Sequence, residues 1–191
     1  MNFYIEITLL PNEEIPIYFL WEKIYQQVHL ALVERQDDEG KVTIGASFPG
    51  YDAKQFQLGC KLRLFAVSKG DLVQLGLEKW LSRLLDYAHI TSIKDVPPDC
   101  GFAFFKRLQP KSNNARLARR KAKREGISLD KAMAYFENRK EQQSKVPFIH
   151  IKSLSSAQKY RLMIAQTNTE KYYSGKFSTY GLSSVSNVPV F

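Results

Sequence analysis

The sequence has little of what metal sites, disulfide frameworks and membrane spans require. Its 191 residues include two cysteines, Cys60 and Cys100, and three histidines. Two distant thiols cannot supply the roughly four closely spaced ligands of a structural zinc site, so we expect both to be buried core residues. No apolar run approaches the roughly 20 residues that span a bilayer, and the N-terminus lacks the pattern of a signal peptide. We therefore expect a cytoplasmic protein without a membrane partner.

Acidic residues are scarce in the second half of the chain. Residues 1–97 contain 10 lysines and arginines against 13 aspartates and glutamates, a net charge of −3. Residues 98–191 contain 18 against 6, a net charge of +12. Such asymmetry indicates a polyanionic partner for the second half. Because no membrane segment is present, that partner is expected to be RNA or DNA.

The first 97 residues alternate between strand and helix patterns. Strand alternation occurs at residues 3–10, 42–48, 61–67 and 89–96, and helical apolar spacing at residues 17–36 and 71–87. This β-α-β-β-α-β order predicts a ferredoxin-like domain over residues 1–97, with the topology of the RNA-recognition motif. The base-stacking signature of that motif is missing, so the topology alone does not indicate a function.

The second half, residues 98–191, is predicted to be an α/β RNA-binding region, which makes the whole chain α+β. It contains a basic helix at about residues 113–125, and five cations fall on one side of that helix: Arg116, Arg119, Arg120, Lys123 and Arg124. Like charges one turn apart destabilise a helix, so a polyanion that relieves their repulsion is expected. On the preceding strand, Arg107 and Gln109 share a face and could bond guanine and adenine edges, although ordinary surface strands also carry this pattern.

The three histidines, His29, His89 and His150, are the candidates for proton transfer. No HxH or HExxH motif accompanies them, so the sequence predicts neither a metal site nor a cofactor. A ribose 2′-hydroxyl can attack its neighbouring phosphate once a base removes its proton, and histidine has a suitable pKa. His29 falls near the end of the first predicted helix and the other two fall in predicted strands. Spacing alone does not choose among them.

Five short segments occur in a specific order. They are VHLALV at residues 28–33, IGASFP at 44–49, QPKSN at 109–113 before the basic helix, PFIHIKS at 147–153, and YGLS at 180–183 near the terminal PVF. In this order and spacing, almost the whole chain resembles the CRISPR repeat-processing endoribonucleases of the type I-F system. The resemblance implies an enzyme that binds the repeat stem-loop and cuts at the 3′ base of the stem without metal. It also implies 2′,3′-cyclic phosphate and 5′-hydroxyl ends, and an enzyme that stays on the guide RNA with other proteins of the surveillance complex.

The same resemblance implies roles for individual residues. His29 occupies the position of the general base, Ser153 that of the ribose-orienting serine, and Tyr180 that of a tyrosine that helps to place the histidine. Tyr160 stands where the family commonly has a phenylalanine that stacks under the terminal base pair. The other implied RNA contacts are Ser155 as a nearby second serine, Arg107 and Gln109 as base readers, and Arg116, Arg119, Arg120, Lys123 and Arg124 as phosphate contacts, with Lys123 replacing a usual arginine.

Two alternatives stay open from the sequence. The first is a non-catalytic RNA-hairpin-binding subunit of the same complex, which product analysis of a labelled repeat RNA would distinguish from the enzyme. The second is a DNA-binding regulator. A 2′-deoxy substitution at the scissile nucleotide should block cutting without blocking binding if RNA is the substrate.

Overall fold

The computed structural model describes residues 1–109, 114–137, 145–153 and 157–191 and has a mixed α/β fold. Its strands are β1 (Phe3–Leu9), β2 (Lys41–Val42), β3 (Gly45–Ser47), β4 (Lys61–Ala66), β5 (Ala88–Ile90), β6 (Lys94–Asp95), β7 (Gly101–Leu108), β8 (Phe148–Lys152), β9 (Lys159–Thr169), β10 (Phe177–Ser178) and β11 (Val188–Val190). Its helices are α1 (Ile17–Glu34), α2 (Lys69–Leu75), α3 (Leu77–Trp80), α4 (Asn114–Glu125) and α5 (Leu129–Ala134), with a 3-10 turn at Ser82–Leu84. Residues 1–108 and 146–191 form one compact unit, and residues 109–145 form a second.

The first sheet is antiparallel, with the strand order β3-β4-β1-β5, and β6 also pairs with β1. Helix α1 follows β1, and its apolar stripe is buried at Leu20, Trp21, Ile24, Tyr25, Val28, Ala31 and Leu32. Burial of a large apolar side chain stabilises a fold by about 1.5–3 kcal/mol, so this stripe fixes the rotation of α1. His29 is half-buried at the edge of the stripe, beside Val28.

The second sheet has the order β11-β7-β9-β8 and belongs to the same compact unit as the first. Its outer strand β8 contacts α1, because the backbone N–H of Lys152 donates to the Gln26 side-chain oxygen at 3.0 Å. The Lys159 ammonium also lies 2.7 Å from the Glu22 carboxylate on α1. Helix α1 is thereby tied to the strand hairpin β8–β9, which brings the C-terminal part of the sequence to the face of α1 that carries His29.

The strand predicted at residues 42–48 is two strands that pair with different partners. Strand β3 pairs with β4 in the first sheet, whereas β2 pairs with β10, so that Val42 lies opposite Phe177 and Lys41 opposite Ser178. The partner β10 lies more than a hundred residues away, and local alternation carries no information about such pairing. This short β2–β10 ribbon positions the chain that leads into Tyr180.

The helix predicted at residues 71–87 is wrong as a single element. Gly76 ends α2 with a left-handed backbone, φ +60°, and α3 and the 3-10 turn follow as separate elements. A glycine in this conformation is the usual end of a helix. The apolar spacing continues across Gly76, because Leu75, Leu77 and Leu81 are all buried, but Leu85 is 49% exposed. The spacing therefore predicted burial correctly as far as Leu81, and it predicted neither the break at Gly76 nor the exposure of Leu85.

The expectation that both cysteines are buried is also wrong. Cys60 is exposed and Cys100 is half-buried. Cys60 is the residue before β4, and Cys100 is the residue before β7. Neither cysteine therefore belongs to the alternating pattern that buries side chains within these two strands. Partial burial raises the pKa of the Cys100 thiol.

The second compact unit contains α4 and α5, which contact each other, and Ala118 on α4 and Ala132 on α5 are both buried. Ser128 begins α5 by accepting a hydrogen bond from the backbone N–H of Lys131 at 3.3 Å, as N-cap residues do. Across the described ranges of the chain, no helix is both long enough and apolar enough to cross a membrane.

Candidate active site

The C-terminal end of α1 places His29 against a backbone carbonyl from the far end of the chain. The ring Nδ1 of His29 lies 2.8 Å from the carbonyl oxygen of Thr179. A carbonyl can only accept a hydrogen bond, so Nδ1 carries the hydrogen in this contact. In the neutral ring, Nε2 then holds the free lone pair. The contact therefore selects one tautomer and orients the nitrogen that can accept a proton.

The carbonyl of Thr179 is held in place by a tight turn at residues 178–181. The N–H of Gly181 donates to the carbonyl of Ser178 at 2.7 Å, and Gly181 has φ +68°. A Cβ at Gly181 would also lie 2.8 Å from the Cβ of Ala46, so a side chain there would strain both the backbone and the packing. The hydroxyl of Tyr25 donates to the Tyr180 carbonyl at 2.7 Å. Two residues of α1, four positions apart, thus bind this segment: Tyr25 contacts the Tyr180 carbonyl, and His29 contacts the Thr179 carbonyl.

Two tyrosines, Tyr180 and Tyr160, extend the contacts of His29. The ring of Tyr180 stacks on the imidazole, with ring centres 4.2 Å apart and an interplanar angle of 12°. The hydroxyl of Tyr180 is hydrogen-bonded to that of Tyr160 on β9, at 2.5 Å. Burial and this hydrogen bond raise the pKa of Tyr160, so its hydroxyl stays protonated in this contact. The imidazole is therefore confined by the carbonyl of Thr179 at its edge and by Tyr180 on its face.

Arg107, near the end of β7, supplies the positive charge of this group. Its guanidinium carbon lies 5.3 Å from the ring centre of Tyr160 and 5.6 Å from that of Tyr180. These distances are within the range of a cation–π interaction. The Arg107 side chain is exposed, so it contacts the tyrosines and still faces solvent.

The surroundings of His29 favour its neutral form. Burial lowers the pKa of the imidazole below its ordinary value of 6.5, and the nearby charge of Arg107 lowers it further. The hydrogen bond to Thr179 acts in the opposite direction without reversing the shift. Desolvation and a like charge both destabilise the imidazolium. At neutral pH the ring is therefore a base with its proton-accepting nitrogen unoccupied.

Ser153 directly follows β8, the strand that contacts α1. Its backbone N–H donates to the carbonyl of Gln158 at 2.9 Å, which closes the base of the β8–β9 hairpin. The preceding residue Lys152 is bonded to Gln26, and Gln26 is one helical turn before His29. Ser155 lies outside the described residues.

The basic helix forms where the sequence predicts it, as α4, in the second compact unit. The five predicted cations are all exposed: Arg116, Arg119, Arg120, Lys123 and Arg124. The opposite side of the helix buries Ala118, and there Lys121 pairs with Glu125 at 2.6 Å and lies 4.2 Å from the Tyr135 ring centre. Glu125 also pairs with Arg124 at 2.8 Å. The exposed cations thus form one surface, which we call the basic ridge. Gln109 is exposed and belongs to this same unit.

The structure brings four of the sequence-predicted residues together: His29, Tyr160, Tyr180 and Arg107. Sequence reasoning missed two groups of the same site, Tyr25 and the carbonyl of Thr179. Tyr25 had a signal, because it precedes His29 by four residues on α1 and so shares its face. The carbonyl of Thr179 had no signal in the sequence, because every residue has a backbone carbonyl.

The two remaining histidines have different surroundings. His89 on β5 is exposed, and His150 on β8 lies against the Phe148 ring at 5.2 Å between ring centres. Within the described part of the chain, no three His, Cys, Asp or Glu side chains are grouped so that they could hold a metal ion.

Comparisons with known proteins identify relatives over the full length of the chain. The family model described as "CRISPR-associated protein (Cas_Csy4)" matches residues 4–191. A protein of Escherichia coli (strain UTI89 / UPEC) named CRISPR-associated endonuclease Cas6/Csy4 is 33% identical over 192 residues, covering 100% of both chains. A protein of the same name from Pseudomonas aeruginosa (strain UCBPP-PA14) is 33% identical over 195 residues, again covering 100% of both. A solved structure described as "Characterization of a Cas6-related gene from Pyrococcus furiosus" aligns with 11% identity and a TM-score of 0.38 over 100% of this chain and 99% of that chain.

Proposed function

Because the chain belongs to the Cas_Csy4 family of CRISPR-associated proteins, we propose that it is an endoribonuclease that matures CRISPR RNA. It binds the stem-loop of the CRISPR repeat and cuts at the 3′ base of the stem. Its full-length relatives are named as CRISPR-associated endonucleases. The observation that carries the proposal is His29, a neutral imidazole held in one tautomer by Thr179.

The cut is an intramolecular transesterification that uses His29 as general base. Nε2 of His29 takes the proton of the ribose 2′-hydroxyl, and the 2′-oxygen attacks the adjacent phosphorus. The bond from phosphorus to the 5′-oxygen of the next nucleotide breaks, and that oxygen takes up a proton. The products are a 2′,3′-cyclic phosphate and a 5′-hydroxyl, and the scheme requires neither a metal ion nor a cofactor. A positioned base of this kind contributes about 10²–10⁴ in rate.

Tyr180 and Ser153 position the reacting groups. The stacked ring of Tyr180 prevents rotation of the imidazole out of the plane that Thr179 defines. Ser153 holds the ribose, so that the 2′-oxygen, the phosphorus and the leaving oxygen lie in line. Such alignment accounts for much of the rate of intramolecular reactions. The place of Ser153 at the end of β8, the strand that contacts α1, supports this role.

Recognition of the stem uses three kinds of contact. Tyr160 stacks under the terminal base pair, and such a stack contributes about 1–3 kcal/mol. Arg107 reads a guanine edge and Gln109 an adenine edge. The basic ridge binds phosphates of the stem, and Ser155 adds a contact from residues that the structure does not describe. Because the deep groove of A-form RNA is too narrow for side chains except near loops and ends, a short hairpin suits these residues better than a long duplex.

We assign different roles to the two halves of the sequence. We assign residues 1–97 to a ferredoxin-like domain, on the basis of the strand order β3-β4-β1-β5 with α1 following β1, and residues 98–191 to RNA recognition. The compact units cross this boundary, because β7, β8, β9 and β11 belong to the same unit as β1. The catalytic group also crosses it, with His29 from the first segment and Tyr180 from the second.

After cleavage the enzyme stays on the processed RNA as a subunit of a cytoplasmic surveillance complex. A non-catalytic hairpin-binding subunit is the second candidate, and a DNA-binding regulator is the third. The oriented base at His29 favours the enzyme over both alternatives. A protein that only binds nucleic acid does not need a neutral histidine that is held in one tautomer by Thr179 and stacked on Tyr180.

The test is incubation of the protein with labelled repeat RNA from its own host in excess EDTA. We expect one cut at the 3′ base of the stem, with a cyclic phosphate on the upstream product and a 5′-hydroxyl on the downstream one. RNA with a 2′-deoxy residue at the scissile nucleotide is the matched control, which should bind equally well and stay intact. Intact wild-type RNA with normal binding would favour the non-catalytic subunit, and cutting of the deoxy substrate would rule out attack by the 2′-oxygen.

A further inference from the structure

A cavity of about 430 Å³ is lined in part by Tyr180, the residue whose ring stacks on His29. Its walls come from β2, β7, and the segment that runs through β10 and the turn at residues 178–181. The residues of interest on these walls are Lys41, Lys106, Arg107, Lys176, Ser178 and Tyr180. Its volume is in the range of pockets that hold a small ligand. We call it the Lys41–Lys106 pocket.

The charge of this pocket is positive. Glu39 is the acidic residue on its wall, facing four cations. Lys176 is already paired, since its ammonium lies 2.7 Å from Asp37 and 3.6 Å from Glu39. In the part of the chain that the structure describes, neither Lys41 nor Lys106 forms an ion pair with an acidic side chain. An anion that entered the pocket would therefore meet two lysines that have no ion-pair partner among the described residues.

The pocket shares Tyr180 and Arg107 with the candidate active site. Tyr180 belongs to both, because its ring stacks on His29 with ring centres 4.2 Å apart and the residue also lines the pocket. Arg107 lines the pocket and lies 5.3 Å from the ring centre of Tyr160. A nucleic-acid strand bound at His29 therefore lies beside two residues that also line the pocket.

We propose that the Lys41–Lys106 pocket binds backbone phosphates of the single-stranded RNA that continues 3′ of the cut. The proposal rests on the proposed function, because it takes the scissile phosphate to lie at His29. The strand that leaves the cut begins at that phosphate, next to the pocket, whereas the 5′ flank begins on the opposite strand of the stem. Lysines suit this task, since an ammonium on a flexible stem acts as a point charge and does not require a fixed phosphate orientation. The contact is therefore independent of the sequence of the flanking RNA.

The experiment compares two RNAs that carry a 2′-deoxy residue at the scissile position, so that neither is cut. One ends at the base of the stem, and the other has a short 3′ extension. Affinity is measured by fluorescence anisotropy over a range of salt concentrations for the wild type and for a Lys41→Gln/Lys106→Gln variant. Each single-strand phosphate contact adds about 0.7 to the slope of log affinity against log salt. For the wild type we expect the extension to steepen this slope by about 1.4, and for the variant we expect no steepening.

Two controls make the result specific. A Lys69→Gln/Lys94→Gln variant removes two exposed lysines from α2 and β6 and should behave as the wild type does. An RNA with a 5′ extension should gain no slope in any variant. The proposal is overturned if the 3′ extension leaves the wild-type slope unchanged, if only the 5′ extension steepens it, or if the variant keeps the steepening. Failure of the wild type to bind the unextended hairpin would instead count against the proposed function.

Discussion

The hydrogen bond between Tyr160 and Tyr180 leads to a prediction that separates cleavage from binding. Tyr160→Phe removes one hydroxyl and retains the ring that stacks under the stem. Tyr180→Phe removes the other hydroxyl and retains the ring that stacks on His29. Both changes break the same contact. Without it the Tyr180 ring is less restrained, so His29 is held in its productive orientation for a smaller fraction of the time.

The magnitude follows from the strength of a neutral hydrogen bond, about 0.5–1.5 kcal/mol net. At about 1.4 kcal/mol for each factor of ten, each single variant should cut about two- to tenfold more slowly. The double variant should be no slower than either single one, because the second change removes nothing that the first left intact. Hairpin affinity should stay at the wild-type level, since the stacking ring is preserved.

The assay is single-turnover cleavage at saturating protein, measured over a range of pH beside a binding titration. A freer Tyr180 ring exposes His29 to more water, so the midpoint of the pH profile should move up toward the ordinary histidine value of 6.5. Tyr18→Phe is the matched control, because Tyr18 is a 69% exposed tyrosine on the same helix as His29. Wild-type cleavage by Tyr160→Phe, or additive losses in the double variant, would refute the coupling.

Further predictions concern the base, the basic ridge and base reading. His29→Ala should abolish cleavage at nearly unchanged hairpin affinity; a parallel loss of binding would make His29 structural. Wild-type cleavage should rise with pH as His29 loses its proton and level off from a midpoint below 6.5, because burial lowers its pKa; a rate that falls over this range would contradict a general base. Reversing charge at Arg119 and Arg120 together should reduce the salt slope of binding by about two units, whereas Lys131→Glu on α5 should not. Gln109→Ala should cost about 1–3 kcal/mol and relax preference at one base pair, and an equal loss for all stems would identify a backbone contact.

The sequence alone determined the features that depend on neighbours along the chain. The apolar spacing of α1 predicted its buried face, because periodicity and burial are coupled in a helix. The five cations of α4 lie within three turns of each other, so their common surface followed from helix geometry alone. The family resemblance then assigned His29 a role that its spacing could not.

The tertiary structure decided the features that depend on residues distant in the chain. The pairing of Lys41 with Ser178 and the contact of His29 with the Thr179 carbonyl each join segments more than a hundred residues apart. No local pattern reports such contacts, since a backbone carbonyl has no residue type and a two-residue strand has no periodicity. The pKa of His29 belongs to this class as well. Its shift depends on burial and on Arg107 from the second sheet, so the lowered pKa of this imidazole is a property of the fold and not of its neighbours along the helix.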